Sequence, residues 1–323
     1  MNTKRWRATL SVAFLAGVVV VLHAVFSEKK ADEQNGFEIP VAGIDTVATS
    51  AEPRPLAEQV PLPSGSKPAL VDSRSSALDA QGRMQWVSGL IRSRPTGPLD
   101  ESIQLALYDF VLDPDRLAGA GMNRAYEHQL VHNVLAWLRR HAEPDGTLTA
   151  LLRDLYLDQR QDDVIRDYAI QHLGEWHPRA RDKSEVEEVL WLAVSDRAGT
   201  IAGTALLALA RQVIADDQKS RMRFMDAATD IVRDPTTSVS SRATALRLAG
   251  RHGIDDVRED ARYWAAHDVA PFLQMAAVRT LGDIGDVADL VFLNDLLESQ
   301  QRHLHVAAAV SKAKLSRKIG GAP

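Results

Sequence analysis

The sequence predicts an all-α protein: a right-handed α-solenoid of five or six antiparallel helix pairs, preceded by one N-terminal transmembrane helix and a disordered linker. Three observations lead to this fold class. Beyond residue 94, apolar residues recur with helical spacing in blocks of about 11–18 residues. These blocks resemble one another, as expected for stacked helix pairs. Aromatic residues make up only 6% of the chain while Ala, Leu, Arg, Asp and Glu are abundant, which favours helices over strands.

Residues 1–27 are predicted to form a cytoplasmic basic flank and a membrane anchor. Lys4, Arg5 and Arg7 precede an uncharged run over 8–26. As a helix this run is about 28 Å long, close to the roughly 30 Å hydrocarbon core of a bilayer. The positive-inside rule then places the rest of the chain on the periplasmic side of the inner membrane. A cleaved signal peptide and a secreted protein are the alternative, although the run is long for a signal peptide and no good cleavage site follows it.

Residues 28–83 are predicted to form a disordered, Pro-rich linker. No sustained hydrophobic period occurs there, and Ser, Glu and Pro are enriched. Proline removes a backbone donor and shifts the preceding residue toward extended geometry, so it disfavours helix. Six of the fourteen prolines lie in this segment: Pro40, Pro53, Pro55, Pro61, Pro63 and Pro68.

Residues 84–323 are predicted to form the helical repeat domain. Proline, glycine and Asp-rich turns divide its periodic blocks, and the short connections favour antiparallel neighbours. The predicted helices are 99–112, 121–141, 147–157, 163–176, 184–195, 198–214, 219–233, 239–251, 255–267, 271–283, 286–299 and 303–318.

Several of these helices share one template. The segments 166–174, 242–250 and 274–282 align without gaps, and each closes with a glycine that suits a helix C-terminus. A small residue recurs at intervals of 36, 40, 32 and 32 residues, where helices must approach closely. The equivalent residues are Ala169, Ala205, Ala245, Ala277 and Ala309.

The stretch from Asp162 to Ala169 resembles the Asp-x-x-Val-Arg-x-x-Ala signature of HEAT-like repeats. The resemblance extends over about residues 145–318, with 99–141 as an atypical cap. It implies that the second helix of each pair lines a concave face that binds partners. A non-repetitive helical bundle is the alternative, since Ala- and Leu-rich helices can align by chance.

Composition excludes several classes of function. The chain has no cysteine, so disulfides, Cys-ligated zinc and thiol catalysis are excluded. Its 38 Lys and Arg against 43 Asp and Glu give a net charge of -5, without the basic surplus that nucleic-acid binding needs. We expect no cofactor, and the sequence does not indicate the oligomeric state.

The strongest catalytic candidate is the pair His128 and His132, which share a helix face at i and i+4 and could ligate zinc. A metalloprotease motif needs Glu after the first His, where this chain has Gln129. We therefore expect two partly exposed histidines. A metal-dependent hydrolase using this pair is one alternative function, and a bilin lyase is another, because some HEAT-like proteins act on bilin pigments.

Other polar clusters have a structural interpretation. Each Asp pair precedes a predicted helix, where carboxylates accept from free amides: Asp162/Asp163, Asp216/Asp217 and Asp255/Asp256. The histidines near the start of the last helix, His303 and His305, are expected in a solvated turn. Helical tryptophans are expected to pack in the core or between repeats: Trp137, Trp176, Trp191 and Trp264. Basic residues near the C-terminus are expected to complement the last helical turn: Lys312, Lys314, Arg317 and Lys318.

The predicted partner-binding residues are Arg211, Arg247, Arg251 and Arg279, which recur at two repeat positions four residues apart. Stacking would align them in a stripe suited to carboxylates, although Glu175 and Asp283 occupy the same column in other repeats. The alternative is ordinary solvated arginines. The expected function is that of a non-enzymatic, membrane-tethered scaffold or adaptor that binds an acidic segment of a partner protein.

Overall fold

The computed structural model describes residues 78–93, 100–119, 121, 123–212, 218–267 and 269–320. These residues form thirteen α-helices and two short 3-10 turns, without a β-strand. The helices are α1 Ala80–Ser93, α2 Glu101–Leu112, α3 Arg124–His141, α4 Thr147–Leu157, α5 Asp163–Trp176, α6 Lys183–Val194, α7 Ile201–Gln212, α8 Gln218–Arg233, α9 Val239–Arg251, α10 Arg258–Ala266, α11 Pro271–Ile284, α12 Val287–Glu298 and α13 Arg302–Gly320.

The helices are arranged in two layers. The even-numbered helices from α2 to α12 form the first layer, and each packs against the odd-numbered helix that follows it. The odd-numbered helices from α3 to α13 form the second layer, in which each packs directly on the next; α1 packs on α3. First-layer helices make fewer contacts with one another. We call the exposed side of the closely packed second layer the inner face.

Polar side chains define where many helices begin. Asp162 accepts from the Val164 amide at 2.9 Å and caps α5, as the sequence predicts. Asp286 forms a capping box with Asp289 at the start of α12. Asp255 and Asp256 instead lie in a 3-10 turn before α10 and do not cap it, so that structural prediction is wrong for this pair. The pair Asp216/Asp217 lies outside the described residues.

Small residues lie where neighbouring helices meet. Four of the five predicted alanines are fully buried, but Ala309 is exposed and Ala308 takes the buried position in α13. The repeat therefore continues with an interval of 31 residues after Ala277. Three consecutive alanines, 307–309, allow either assignment by sequence alone, and the packing on α11 decides between them.

The repeated glycines have a different role from the predicted one. Gly174, Gly250 and Gly282 lie inside the last turns of α5, α9 and α11, without left-handed backbone. A Cβ added at Gly174 would lie 2.5 Å from the Cβ of Ala208 on α7. At Gly282 it would lie 2.7 Å from the Cα of Ser311 on α13. These glycines therefore permit close approach of second-layer helices rather than closing a helix.

Most predicted helices are present, with ends displaced by up to a few residues. The predicted helices 147–157, 163–176 and 239–251 have the predicted bounds. Helix α1, which begins at Ala80, was not predicted and begins within the stretch assigned to the linker. The predicted helix 255–267 divides into the 3-10 turn and α10.

The predicted membrane anchor over 8–26 and most of the linker lie outside the described residues. Among the helices that the structure does describe, none combines the length and the apolar character that crossing a bilayer requires.

Candidate functional site

The arginines of the second layer fall into two groups, and the first group stabilises the fold. Arg166 is almost fully buried; its Nε donates to the Tyr156 carbonyl at 2.9 Å, and its Nη2 pairs with Asp196 at 2.5 Å. Arg242 donates to the carbonyls of Val232 and Asp234 at 3.1 and 2.7 Å. Both side chains thus satisfy carbonyls at the end of the preceding first-layer helix. This is the physical reason for the recurring Arg three residues before the buried Ala.

Other residue types perform the same role in later repeats. Gln274 Nε2 donates to the His267 carbonyl at 2.8 Å, and His305 Nε2 lies 2.9 Å from the Ser299 carbonyl. His303 Nε2 lies 2.8 Å from Oε1 of Gln274. His303 is exposed, as predicted, whereas His305 is half-buried, and both lie in the first turn of α13 and not in a turn before it. We call Arg166, Arg242, Gln274 and His305, whose side chains reach these carbonyls, the hairpin latches. The sequence does not reveal them as one group, because their residue types differ.

Arg116 closes the first helix pair in a similar way from the connection after α2. Its guanidinium donates to the carbonyls of Phe110 and Val111 at 3.1 and 2.8 Å. It also pairs with Glu127 at 2.8 Å and contacts Gln161. Burial lowers the pKa of Arg116, and the hydrogen bond and charge of Glu127 oppose that shift.

The second group contains the predicted partner-binding arginines. Arg211 and Arg251 lie in the last turns of α7 and α9, while Arg279 lies within α11; all three are exposed. Arg247 lies one turn before Arg251 and is half-buried. Within the described ranges, neither Arg211 nor Arg279 has a carboxylate or carbonyl partner. The described part of the fold therefore holds these two guanidinium groups at the surface without a carboxylate or carbonyl acceptor.

The two acids predicted to interrupt the stripe are paired by neighbouring helices. Glu175 forms an ion pair with Arg139 of α3. Asp283 forms an ion pair with Lys314 of α13, and Lys318 donates to its backbone carbonyl at 2.9 Å. Each carboxylate therefore has a basic partner on an adjacent second-layer helix, while Oδ2 of Asp283 also lies beside Gly250 of α9, next to Arg251.

Apolar side chains lie beside the arginines on the second-layer helices. Leu207 precedes Arg211 by one turn, and Met275 precedes Arg279 by one turn; both are partly buried. Phe272, at the start of α11, adds an exposed aromatic side chain. Arginine next to Met and an aromatic ring is a combination enriched at protein–protein interfaces.

The pair His128 and His132 faces α5 and the residue that precedes it. His128 Nε2 lies 3.4 Å from Oδ1 of Asp162, whose other oxygen pairs with Arg124 at 3.2 Å. The His132 ring lies 5.1 Å from the His172 ring. Across the residues that the structure describes, no group of three or more potential metal-ligating side chains occurs. The open cleft beside His128 is lined by polar side chains that mostly pair with one another: Arg116, Arg124, Glu127, Arg160, Gln161 and Asp162.

A buried polar cluster lies between α3, α5 and α7. His172 is buried, and this burial lowers its pKa well below the ordinary value, assisted by the positive charge of His132 and Arg139. Burial raises the pKa of Asp167, although hydrogen bonds from Thr204 and Thr200 oppose that shift. Both shifts favour the neutral forms, so this cluster belongs to the core.

The tryptophans have the predicted packing role. Trp137 and Trp176 are buried. Trp191 and Trp264 are half-buried beneath the guanidinium groups of Arg223 and Arg242, at 4.0 and 4.6 Å from the ring centres. Of the C-terminal basic residues, Lys318 complements the last turn of α11, whereas Lys312 donates to Asn294 of α12.

Comparison with known proteins gives no family. No family model matches the sequence, and no curated protein matches it. The solved structure of human deoxyhypusine hydroxylase in complex with glycerol is similar at 17% identity and a TM-score of 0.29, over 76% of this chain and 100% of that chain. Similarity at this level assigns neither a family nor an activity to this chain.

Proposed function

We propose that this chain is a scaffold or adaptor that binds other proteins and does not catalyse a reaction. The two-layer helical stack would be an α-solenoid whose inner face receives an acidic segment of a partner. The segment 8–26 would tether it to the inner membrane, with the helical domain on the periplasmic side. The proposed partner-binding residues are Arg211, Arg247, Arg251 and Arg279.

One observation carries this proposal: Arg211 and Arg279 are exposed and have no carboxylate or carbonyl partner among the described residues. Arg242, on the helix between theirs, uses its donors on two backbone carbonyls. A guanidinium group can donate two parallel hydrogen bonds to one carboxylate, so Arg211 and Arg279 suit an acidic ligand.

The surroundings support a protein ligand over a small anion. Leu207, Met275 and Phe272 offer apolar area beside the arginines, and a protein interface combines such anchors with a polar rim. The ion pairs of Glu175 with Arg139 and of Asp283 with Lys314 offset the negative charge beside the arginines.

The hydrolase alternative has less support. His128 pairs with Asp162, the N-cap of α5, whereas His132 lies beside the His172 ring of α5, so the two histidines face different groups. Zinc bound to the purified full chain in stoichiometric amount would favour that alternative. A coloured protein isolated from its source would favour the bilin lyase.

The experiment is cross-linking in native membranes followed by mass spectrometry. The test variant is Arg211→Glu with Arg279→Glu. The matched control is Arg181→Glu with Arg221→Glu, which makes the same charge change at exposed positions before α6 and on α8. Circular dichroism verifies that both variants keep their helix content.

We expect one partner to cross-link to α7, α9 or α11 in the wild type and the control, and to be lost in the test variant. Its capture should weaken as salt is raised, because the charges are exposed. Capture of the same partner by the test variant would refute the arginine site but keep the scaffold. Failure to capture any partner, together with bound zinc, would refute the scaffold.

A further inference from the structure

The junction between α3 and α5 differs from every later junction of the second layer. From α5 to α13, a glycine of one helix lies so close to the next helix that an added Cβ would crowd it. The glycines and the residues that they approach are Gly174 and Ala208, Gly203 and Ser241, Gly250 and Thr280, and Gly282 and Ser311. Helix α3 contains no glycine, and it makes fewer contacts with α5 than each later second-layer helix makes with the next. The α3–α5 junction is therefore the least extensively packed one between α3 and α13.

Ionic contacts hold the two ends of this junction. At its start, Asp162 pairs with Arg124 at 3.2 Å and lies 3.4 Å from Nε2 of His128. At its end, Arg139 of α3 forms an ion pair with Glu175 of α5. Charged contacts thus take the place of the small-residue packing found in the later repeats, and such contacts depend on pH.

The middle of the junction consists of side chains that can gain a proton. His172 is 1% exposed, and the His132 ring lies 5.1 Å from the His172 ring and 4.8 Å from the Tyr168 ring. Neither ring nitrogen of His172 makes a hydrogen bond of ordinary geometry with the described residues. A neutral imidazole is tolerated in such a place, whereas an imidazolium would be a buried cation without a hydrogen-bonded counterion.

The charged groups around His172 do not stabilise its protonated form. Burial lowers the pKa of His172 well below its ordinary value, and the charges of His132 and Arg139 add to this shift, which the His132 backbone weakly opposes. On α5 itself, Glu175 is engaged by Arg139, while Asp167 accepts from Thr200 and Thr204 on the side of α7.

The other helices that pack on α5 do not supply a counterion either. Burial raises the pKa of Tyr156 of α4 to about 12, so this side chain stays neutral. The remaining titratable side chains of α4, α6 and α7 form ion pairs elsewhere or are exposed: Arg153, Asp154, Lys183, Glu185, Glu187, Glu188 and Arg211.

We propose that the α3–α5 junction is an acid-sensitive hinge, in which protonation of His172 separates the second half of α3 from α5 and leaves α5 to α13 stacked. Each repeat of a helical stack contacts only its neighbours, so a charge buried at one junction weakens that junction first. His128 acts in the opposite sense, because its protonation strengthens the contact with Asp162 and keeps the start of α3 attached. The hinge does not depend on the proposed partner site, so either can fail without the other.

The size of the effect follows from linkage. Opening hydrates His172, which then titrates near the ordinary histidine pKa of about 6.5, whereas the closed junction keeps the ring neutral. Between pH 7 and pH 5 the open form should therefore gain by up to about 25-fold. A helix that leaves its neighbour is only marginally stable in water, so its amides then exchange with solvent.

The experiment is hydrogen–deuterium exchange of the full-length chain in detergent, followed by mass spectrometry at pH 7 and pH 5. Each exchange rate is corrected for the intrinsic pH dependence of amide exchange. The test variant is His172→Gln, which cannot gain a charge. The matched control is His267→Gln, which removes an exposed histidine at the end of α10. Circular dichroism verifies that all proteins keep their helix content at both pH values.

We expect the wild type and the control to lose protection by roughly 10- to 25-fold at pH 5 over residues 132–141 and 167–176. Protection of α9 and α11 should not change, because these helices do not contact the junction. In His172→Gln, protection of the junction should be nearly the same at both pH values.

Three results would overturn the proposal. Equal loss of protection in all helices would mean that protonation destabilises the whole stack and not one junction. A loss over 132–141 and 167–176 that persists in His172→Gln would assign the effect to other groups, such as the carboxylates of Asp162 and Glu175. Unchanged protection of the wild-type junction at pH 5 would mean that it does not open in acid.

Discussion

Gly174→Ala tests the close packing of α5 on α7. The added Cβ would lie 2.5 Å from the Cβ of Ala208, whereas carbon atoms in ordinary contact are about 3.5–4.0 Å apart. Neither atom belongs to a flexible side chain, so the two helices must separate by roughly 1 Å to relieve the overlap.

The expected cost follows from two opposing terms. Overpacking of a core costs about 1–3 kcal/mol. Replacing glycine by alanine in a helix stabilises by about 0.5–1 kcal/mol. The free energy of unfolding should therefore fall by about 0–2.5 kcal/mol, instead of rising by the roughly 0.5–1 kcal/mol expected without the overlap.

The reciprocal change isolates the packing term. Ala208→Gly alone should destabilise by about 1 kcal/mol through helix propensity. In the double variant, the new Cβ meets only the Cα at position 208, at the ordinary distance of 3.5 Å. The propensity terms cancel, so the double variant should be nearly as stable as the wild type. The coupling energy between the two sites should be about 1–3 kcal/mol.

The assay is urea unfolding of the four proteins, followed by circular dichroism. Gly89→Ala in α1 is the control, because its Cβ would meet no atom within 4 Å. It should stabilise by about 0.5–1 kcal/mol. If Gly174→Ala stabilises equally, or if the two substitutions are additive, the close approach of α5 and α7 is refuted.

Three further perturbations test other features. The fold lowers the pKa of His172, so as pH decreases the unfolded chain protonates this side chain at a higher pH than the folded chain does. The free energy of unfolding should therefore fall below about pH 6.5, by up to about 1.4 kcal/mol per pH unit. His172→Gln should flatten that slope in urea titrations, and an unchanged slope would contradict it. Arg242→Met leaves two carbonyls without their donor and should lower the free energy of unfolding by about 2 kcal/mol. The exposed control Arg279→Met should lower it by less than about 0.5 kcal/mol, and equal losses of stability in thermal unfolding would refute the latch. Asp286→Ala removes the N-cap of α12 and should lower the free energy of unfolding in urea by about 1 kcal/mol. Asp286→Asn keeps a side-chain acceptor and should lower it by less. A larger loss of stability in Asp286→Asn than in Asp286→Ala would refute the cap.

The fold class and most helix bounds could be predicted because turns and caps are local. Asp162 marks the start of α5, and the template that places Ala169 in the core follows from helical spacing. Helix α1 was missed because Ala80–Ser93 has weak apolar character and two glycines beside a Pro-rich segment. Its Val87 is fully buried through contacts with the rest of the domain, which local sequence does not contain.

The candidate site was only partly predictable for the same reason. Repeat spacing predicted that Arg211 and Arg279 occupy the exposed side of second-layer helices. It could not distinguish them from the latch Arg242, since all are arginines on similar helices. The latch role of Gln274 and His305 was not predicted, because it depends on carbonyl positions in the preceding helix and not on one residue type.

The latches also bear on how the chain folds. Arg166 and Arg242 each reach a carbonyl only ten residues earlier, and Gln274 reaches one seven residues earlier. Each helix pair can therefore close on itself before its neighbours exist, and contacts between pairs span only about one repeat. Such a chain has low contact order, so pairs can form in turn during synthesis from the N-terminal side, each providing a template on which the next assembles.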